Sequence, residues 1–155
     1  RFPKARQAAD FGAGWGALSL KLLETLPDLE RCALFEADLR AKALAEKNIP
    51  DPRAEFHWAD VGELSAERLD LIVSNPPFHT TRAANPSLGQ SFIAAAARNL
   101  APKGTLLLVA NRQLPYERAF DASFAAWEIL DQNQGFKVFA ATRPKTVGKP
   151  ARRHP

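Results

Sequence analysis

The sequence predicts an α/β protein, a doubly wound and mostly parallel sheet that ends in an antiparallel hairpin. Three observations predict it. Short apolar runs alternate with helical periodicities from residue 7 onwards. A glycine-rich turn, Gly12-Ala13-Gly14-Trp15-Gly16, joins the first run to the first helix. The last two runs lie too close together for a helical crossover, so they should pair as a hairpin.

Residues 7–11 read as the first strand. Residues 17–26 then carry Leu18, Leu22, Leu23 and Leu26 at helical spacing, until Pro27 stops them. Residues 31–35 form a second apolar strand, closed by Glu36. Asp38 is placed to cap a helix that carries Leu39, Ala43 and Leu44 on one face up to Lys47, with Pro50 beyond. A third strand covers residues 54–58 and is followed by Asp60; a fourth covers residues 69–74. Pro86 opens a helix through Ile93, Ala97 and Leu100, which Pro102 and Gly104 are expected to end. Residues 105–110 are apolar enough for a central strand. A helix near 116–126 and strands near 128–131 and 136–141, with Gly135 at the turn between them, complete the set.

At 155 residues, 46% hydrophobic and 25% charged, the chain has the material for one folded core. No apolar run approaches the ~20 residues that span a bilayer, and the first residues lack a signal-peptide pattern. Cys32 is the one cysteine, so no disulfide framework forms, which fits a reducing cytoplasm and no membrane partner. The chain starts Arg1-Phe2-Pro3 and contains no methionine, as expected of a portion of a longer protein. Five of the 21 Lys and Arg residues, and none of the 17 Asp and Glu, fall in residues 143–155. We therefore expect a near-neutral body over 1–142 and a basic, flexible tail over 143–155. Such a tail suits a polyanion; a solubilising end without a partner is the alternative.

Asn75-Pro76-Pro77-Phe78 ends the fourth strand, where open α/β sheets bind ligands. Two prolines remove backbone N–H groups and hold φ near −65°, so the strand must stop. An Asn carboxamide oxygen and a proline carbonyl then stand ready to accept the hydrogens of a planar exocyclic amine, and Phe78 can stack on the ring that carries it. Upstream, the glycine turn opens a helix and permits close approach of a ligand to the backbone. Gly12-x-Gly14-x-x-Ala17 also satisfies a dinucleotide fingerprint. In either case Glu36 is placed to accept from ribose hydroxyls. Asp10 favours S-adenosylmethionine, because a carboxylate there suits an ammonium group and repels a pyrophosphate. The Asn-Pro-Pro-Phe segment has no role in hydride transfer. Asp60 follows the third strand, where it either accepts from an adenine amino group or caps a turn.

With these motifs the chain resembles the class I S-adenosylmethionine-dependent methyltransferases over residues 10–141, and so a Rossmann-like fold is implied. Asp10-x-Gly12-x-Gly14-x-Gly16 is similar to their cofactor loop. Asn75-Pro76-Pro77-Phe78 is similar to the signature of enzymes that methylate amino nitrogens. Ser74 to His79, Val109-Ala110-Asn111-Arg112-Gln113-Leu114-Pro115-Tyr116 and Phe136-Lys137-Val138-Phe139 narrow the resemblance to bacterial ribosomal RNA guanine-N2 methyltransferases. Leu114-Pro115-Tyr116 points to the small-subunit members, the RsmC type.

The resemblance implies methyl transfer to the N2 amine of a guanine in small-subunit ribosomal RNA, with ribosomal RNA or the ribosomal subunit as partner. It implies Asn75, Pro76 and Phe78 as catalytic residues. Asp10, Gly12, Gly14, Gly16, Glu36, Asp60 and Asn75 are implied as cofactor-binding residues. Family members carry a second, degenerate N-terminal domain and a helix before the first strand. Neither is in this sequence, so a missing N-terminal domain is expected. Protein glutamine or adenine-N6 methylation, and a non-catalytic S-adenosylmethionine- or RNA-binding module, are the rival readings. Among other candidates, His79 either meets RNA or shuttles a proton, or is structural; Arg82 and Arg112 either meet phosphates or are solvated. Trp127, His57 and Trp58 read as core or sheet-face residues. The histidines and Cys32 lack metal-ligand spacing, so no metal is expected.

Overall fold

The computed structural model describes residues 4–65, 67–77 and 86–145. Strands and helices alternate as β1 (Gln7–Phe11), α1 (Ala17–Thr25), β2 (Arg31–Glu36), α2 (Leu39–Asn48) and β3 (Ala54–Trp58). A 3₁₀ turn (Val61–Glu63) then precedes β4 (Leu69–Ser74), α3 (Pro86–Asn99), β5 (Leu100–Asn111), α4 (Glu117–Ser123), β6 (Phe124–Gln132) and β7 (Phe136–Pro144). The sheet order is β3-β2-β1-β4-β5-β7-β6. The first five strands run parallel, while β7 pairs antiparallel with both β5 and β6. This is the doubly wound sheet with a terminal hairpin that the alternation of elements predicts.

Alternating side chains feed two cores, one on each face of the sheet. Ala9, Phe11 and Ile72 meet Phe92, Ile93 and Ala96 of α3 and Phe120 of α4. On the other face Ala8, Leu34 and Val73 meet Leu23 of α1 and Ala45 of α2. Phe120 stacks on Phe139 at 4.6 Å, and Trp127 leans on both rings. Trp127 therefore packs as a core-edge residue, as its apolar context suggests. The Asp38 carboxylate caps α2, accepting from the N–H groups of Arg40 and Ala41.

Several boundaries differ from the sequence expectation. Helix α3 stops at Asn99, and β5 starts at Leu100 rather than residue 105. Pro102 and Gly104 lie inside the start of that strand, where the ladder with β4 is irregular between Leu69 and Leu71. Helix α4 stops at Ser123 instead of reaching residue 126, because Phe124 is drawn into the core and pairs with Pro144. Finally β7 continues through Pro144, two residues past the boundary expected at 142. Lys145 extends this contact, donating its N–H to the Ser123 carbonyl and its Nζ to that of Asp121. The remaining tail lies outside the described residues. Among the described residues no helix is long and apolar enough to cross a membrane.

Candidate active site

The chain leaves β1 and β4 on neighbouring strands where the strand order reverses, which is the ligand crevice of open α/β sheets. Ser74 ties the two exits together. Its buried Oγ donates to the Phe11 carbonyl at 2.7 Å, across its own ladder partner. Gly12 closes the gap further: a Cβ there would lie 2.9 Å from Phe92 Cε2 and 3.6 Å from Pro77 Cδ. The glycine loop and the segment 75–77 therefore share one crevice, with Asn75 and Pro77 exposed and Pro76 buried. Phe78, His79 and Arg82 lie outside the described residues.

All three loop glycines have positive φ, at 74°, 56° and 99° for Gly12, Gly14 and Gly16. That region favours glycine, since a Cβ there crowds the backbone. Above Gly14 no atom would come within 4 Å of a Cβ, so the backbone there is open to a ligand. Glu36 stands beside it at the end of β2. Burial raises its carboxyl above the usual range, the backbone N–H groups of Ala37 and Gly14 oppose that, and the charge of Asp38 adds to it.

Opposite Glu36 in the ladder is Trp58. It is 66% exposed, so of the two expectations, core or sheet face, it takes the second. Its Nε1–H donates to the Ala37 carbonyl at 2.9 Å, which fixes the indole against the end of β2. Trp58, Ala37, Ala59, Asp60, Glu63 and Leu64 line an open cleft of about 580 Å³. Asp60 caps the 3₁₀ turn through the Gly62 N–H at 2.9 Å and also lines this cleft, so both of its readings are compatible with the structure. His57 stacks on Phe35 at 4.9 Å.

Asp10 is almost wholly enclosed, at 1% exposure. Its Oδ2 accepts from Ser19 Oγ of α1 at 2.8 Å, and its buried Oδ1 has no hydrogen-bond partner among the described residues. Burial pushes its carboxyl up to about 7, against the hydrogen bonds from Ser19 and with a further push from Glu36. The carboxylate thus sits between β1 and α1, not on the open wall of the crevice. Ser19, which sequence reasoning did not single out, holds one oxygen and leaves the other free.

Beyond β4, the Asn111 side chain accepts from the Gln113 N–H, and Tyr116 is buried with its ring filling the notch at Gly89. Arg112 is exposed. Among the described residues no three His, Cys, Asp or Glu side chains are grouped to hold a metal.

The chain is similar to several named proteins and solved structures. The Shewanella sp. (strain MR-4) protein named ribosomal RNA small subunit methyltransferase C is 34% identical over 135 residues, 84% of this chain and 39% of that protein. Its namesake from Idiomarina loihiensis is 30% identical over 140 residues, covering 90% and 41% of the two chains. The chain thus spans about two fifths of the length of the curated relatives it matches. The structure of the T. thermophilus 16S rRNA N2 G1207 methyltransferase (RsmC) in complex with AdoMet and guanosine superposes with a TM-score of 0.77 at 33% identity. It covers 91% of this chain and 38% of that one. A predicted O-methyltransferase from Agrobacterium tumefaciens, 23% identical with a TM-score of 0.70, shares the fold and covers 86% of this chain and 72% of its own. The model of the methyltransferase small domain matches residues 1–140, and the chain belongs to that family.

Proposed function

We propose that this chain carries the methyl-transfer centre of an enzyme that moves a methyl group from S-adenosylmethionine to N2 of a guanine in small-subunit ribosomal RNA. One observation carries the reading. The Ser74 to Phe11 hydrogen bond and the Gly12 to Pro77 approach put an amine-accepting segment and an open glycine loop in one crevice. The names of the relatives, and guanosine in the T. thermophilus complex, support guanine in ribosomal RNA as the acceptor. This reading fits a cytoplasmic protein.

The residues present fit the cofactor. Glu36 would hold the ribose hydroxyls, the open backbone at Gly14 would admit the ligand, and the cleft walled by Trp58, Ala37 and Asp60 would take the adenine. The Oδ1 of Asp10, without a partner among the described residues and next in chain to the loop, would suit the ammonium group. When bound, S-adenosylmethionine supplies a methyl group on a sulfonium, already activated for displacement.

The chain's own work falls on the acceptor, because the guanine N2 lone pair is delocalised into its ring. Asn75 Oδ1 and the Pro76 carbonyl accept the two amine hydrogens, orienting the lone pair and stabilising positive charge as it develops on nitrogen. The prolines hold both acceptors still, so little reorganisation is needed at the moment of reaction. Phe78, outside the described residues, would stack on the base, which must first leave its helix or be presented in a loop.

The test is transfer of labelled methyl into small-subunit ribosomal RNA and into assembled subunits, followed by nucleoside analysis. N2-methylguanosine at one position is expected. Label in adenine N6 or in a protein glutamine would move the activity to a rival substrate. Cofactor binding without transfer to any of these, even in protein restored to the length of its relatives, would make the chain a non-catalytic module.

A further inference from the structure

We propose that Phe136 is a second base-binding platform, which takes the nucleotide next to the one methylated, with Arg112 at the same edge of the sheet to meet its phosphate. The proposal rests on the RNA reading above. Phe136 is a large apolar side chain left 46% exposed at the ligand end of the sheet, while Phe139, three residues along the strand and so on the other face, is fully buried. It pairs with Asn111 across the β5–β7 ladder, so the two project to the same face.

The turn that presents it is tightly built. Asn133 Oδ1 accepts from the N–H groups of Gly135 and Phe136, each at 2.8 Å, and the Asn133 N–H donates to the Phe136 carbonyl at 2.9 Å. The Arg112 N–H donates to the Gly135 carbonyl at 2.9 Å, stitching the loop after β5 to this hairpin. A ring held this firmly loses little further freedom when a partner stacks on it. Among the described residues the Arg112 guanidinium has no ion pair, whereas nearby Lys137 is engaged with Glu117 at 2.9 Å. Phe136 offers a stacking face, and Arg112, opposite Gly135 and so on the other face of the same sheet edge, offers a separate contact for phosphate.

Placement agrees with that role. Ser74 pairs with Leu108, so residues 75–77 leave the sheet level with 109–111, and Phe136 lies one strand further on. Two strand spacings put it roughly 10 Å from the amine-accepting segment. A neighbouring nucleotide reaches that far once the target base is extruded and the strand unstacks.

The experiment measures anisotropy of a labelled single-stranded RNA hexamer containing one guanine, at low salt, with S-adenosylhomocysteine calorimetry as control. Phe136→Ala should weaken RNA binding roughly 5- to 150-fold, the range for loss of one base–aromatic stack. It should leave the salt slope and S-adenosylhomocysteine affinity unchanged, and Phe136→Trp should restore binding. Arg112→Ala should lower the log–log salt slope by about 0.7. An abasic site beside the guanine should weaken wild type and erase its advantage over Phe136→Ala. RNA binding by Phe136→Ala within twofold of wild type would overturn the proposal. So would an equal loss on the abasic RNA, or reduced self-association with RNA affinity intact, which would make Phe136 a protein contact. If wild type binds S-adenosylhomocysteine but no RNA, the RNA reading itself falls and takes the platform with it.

Discussion

The two ends of the crevice are built on different principles. Around β1, β2 and β3 the surface is mostly backbone: glycines at positive φ, an open peptide at Gly14, and a carboxylate flanked by N–H groups. Around β4, β5 and β7 it is mostly side chain. An amide, a cation and an aromatic ring sit on segments tied down by Ser74, Asn111 and Asn133. On the proposed function, the first end holds a donor whose chemistry is already set, so shape and a few charges suffice. The second must raise the reactivity of a poor nucleophile, so it needs a placed functional group. Substitutions at the first end should therefore change binding, and those at the second should change turnover.

The largest effect is expected at the second end. Asn75→Ala should cut kcat by about 10²-fold or more, the loss typical of one preorganised hydrogen-bonding group, with S-adenosylmethionine affinity nearly intact. Single-turnover methylation beside calorimetry checks this, and a matching loss of affinity would erase the proposed division.

Next comes Glu36→Ala. Two charged hydrogen bonds to ribose should be worth about 1.5–3 kcal/mol, so the Kd for S-adenosylmethionine should rise about ten- to a hundredfold. A shift in kcat alone would place Glu36 at the wrong end of the crevice.

Asp10 sharpens the comparison through pH. The folded carboxyl ionises near 7 and its reference value is 3.8, so between these the folded chain holds a proton that the unfolded chain has lost. Stability of the ligand-free chain is then full at low pH within this window and falls as pH rises towards 7. Asp10→Asn should flatten that fall and raise stability at pH 8 by roughly 1–3 kcal/mol, the cost of a buried group without a partner. Urea midpoints at pH 5 and pH 8 read this out. An ammonium held by Asp10 lowers its pKa, so S-adenosylmethionine affinity should climb with pH in wild type and stay level in Asp10→Asn. Parallel curves for the two proteins would leave Asp10 a packing residue.

The smallest effect concerns the tail. Arg143 and Pro144 belong to β7, and Lys145 is bound to α4 and Ser123, so the deletion that spares the sheet begins at 146. Removing residues 146–155 takes away Lys149, Arg152 and Arg153. It should reduce the salt slope of RNA binding by up to about two and leave S-adenosylmethionine affinity alone. An unchanged slope would assign the tail to solubility.

Much of this molecule was legible in its sequence. Strand β1, the glycine loop, β2 with Glu36, and β4 with its proline stop follow from local rules: apolar periodicity, steric freedom at glycine, and missing N–H groups at proline. The end of α4 was not legible. Its residues 124–126 are compatible with helix, and only pairing with the far end of β7 turns them into strand. Pro102 and Gly104 read as helix stops for a similar reason, since an irregular ladder that tolerates them is decided by strand β4.

Tertiary structure alone decided which side chains face the crevice. The sequence determined that an acid precedes the loop, and packing against α1 placed Asp10 beneath it, with Ser19 holding one oxygen. The sequence put a tryptophan at the end of β3, and a hydrogen bond to Ala37 turned it out onto the cleft. Chemistry-bearing motifs are local in the chain, so composition and spacing reveal them. Exposure, pairing and the pKa of a buried carboxyl depend on neighbours distant in sequence, and those are set only when the sheet closes.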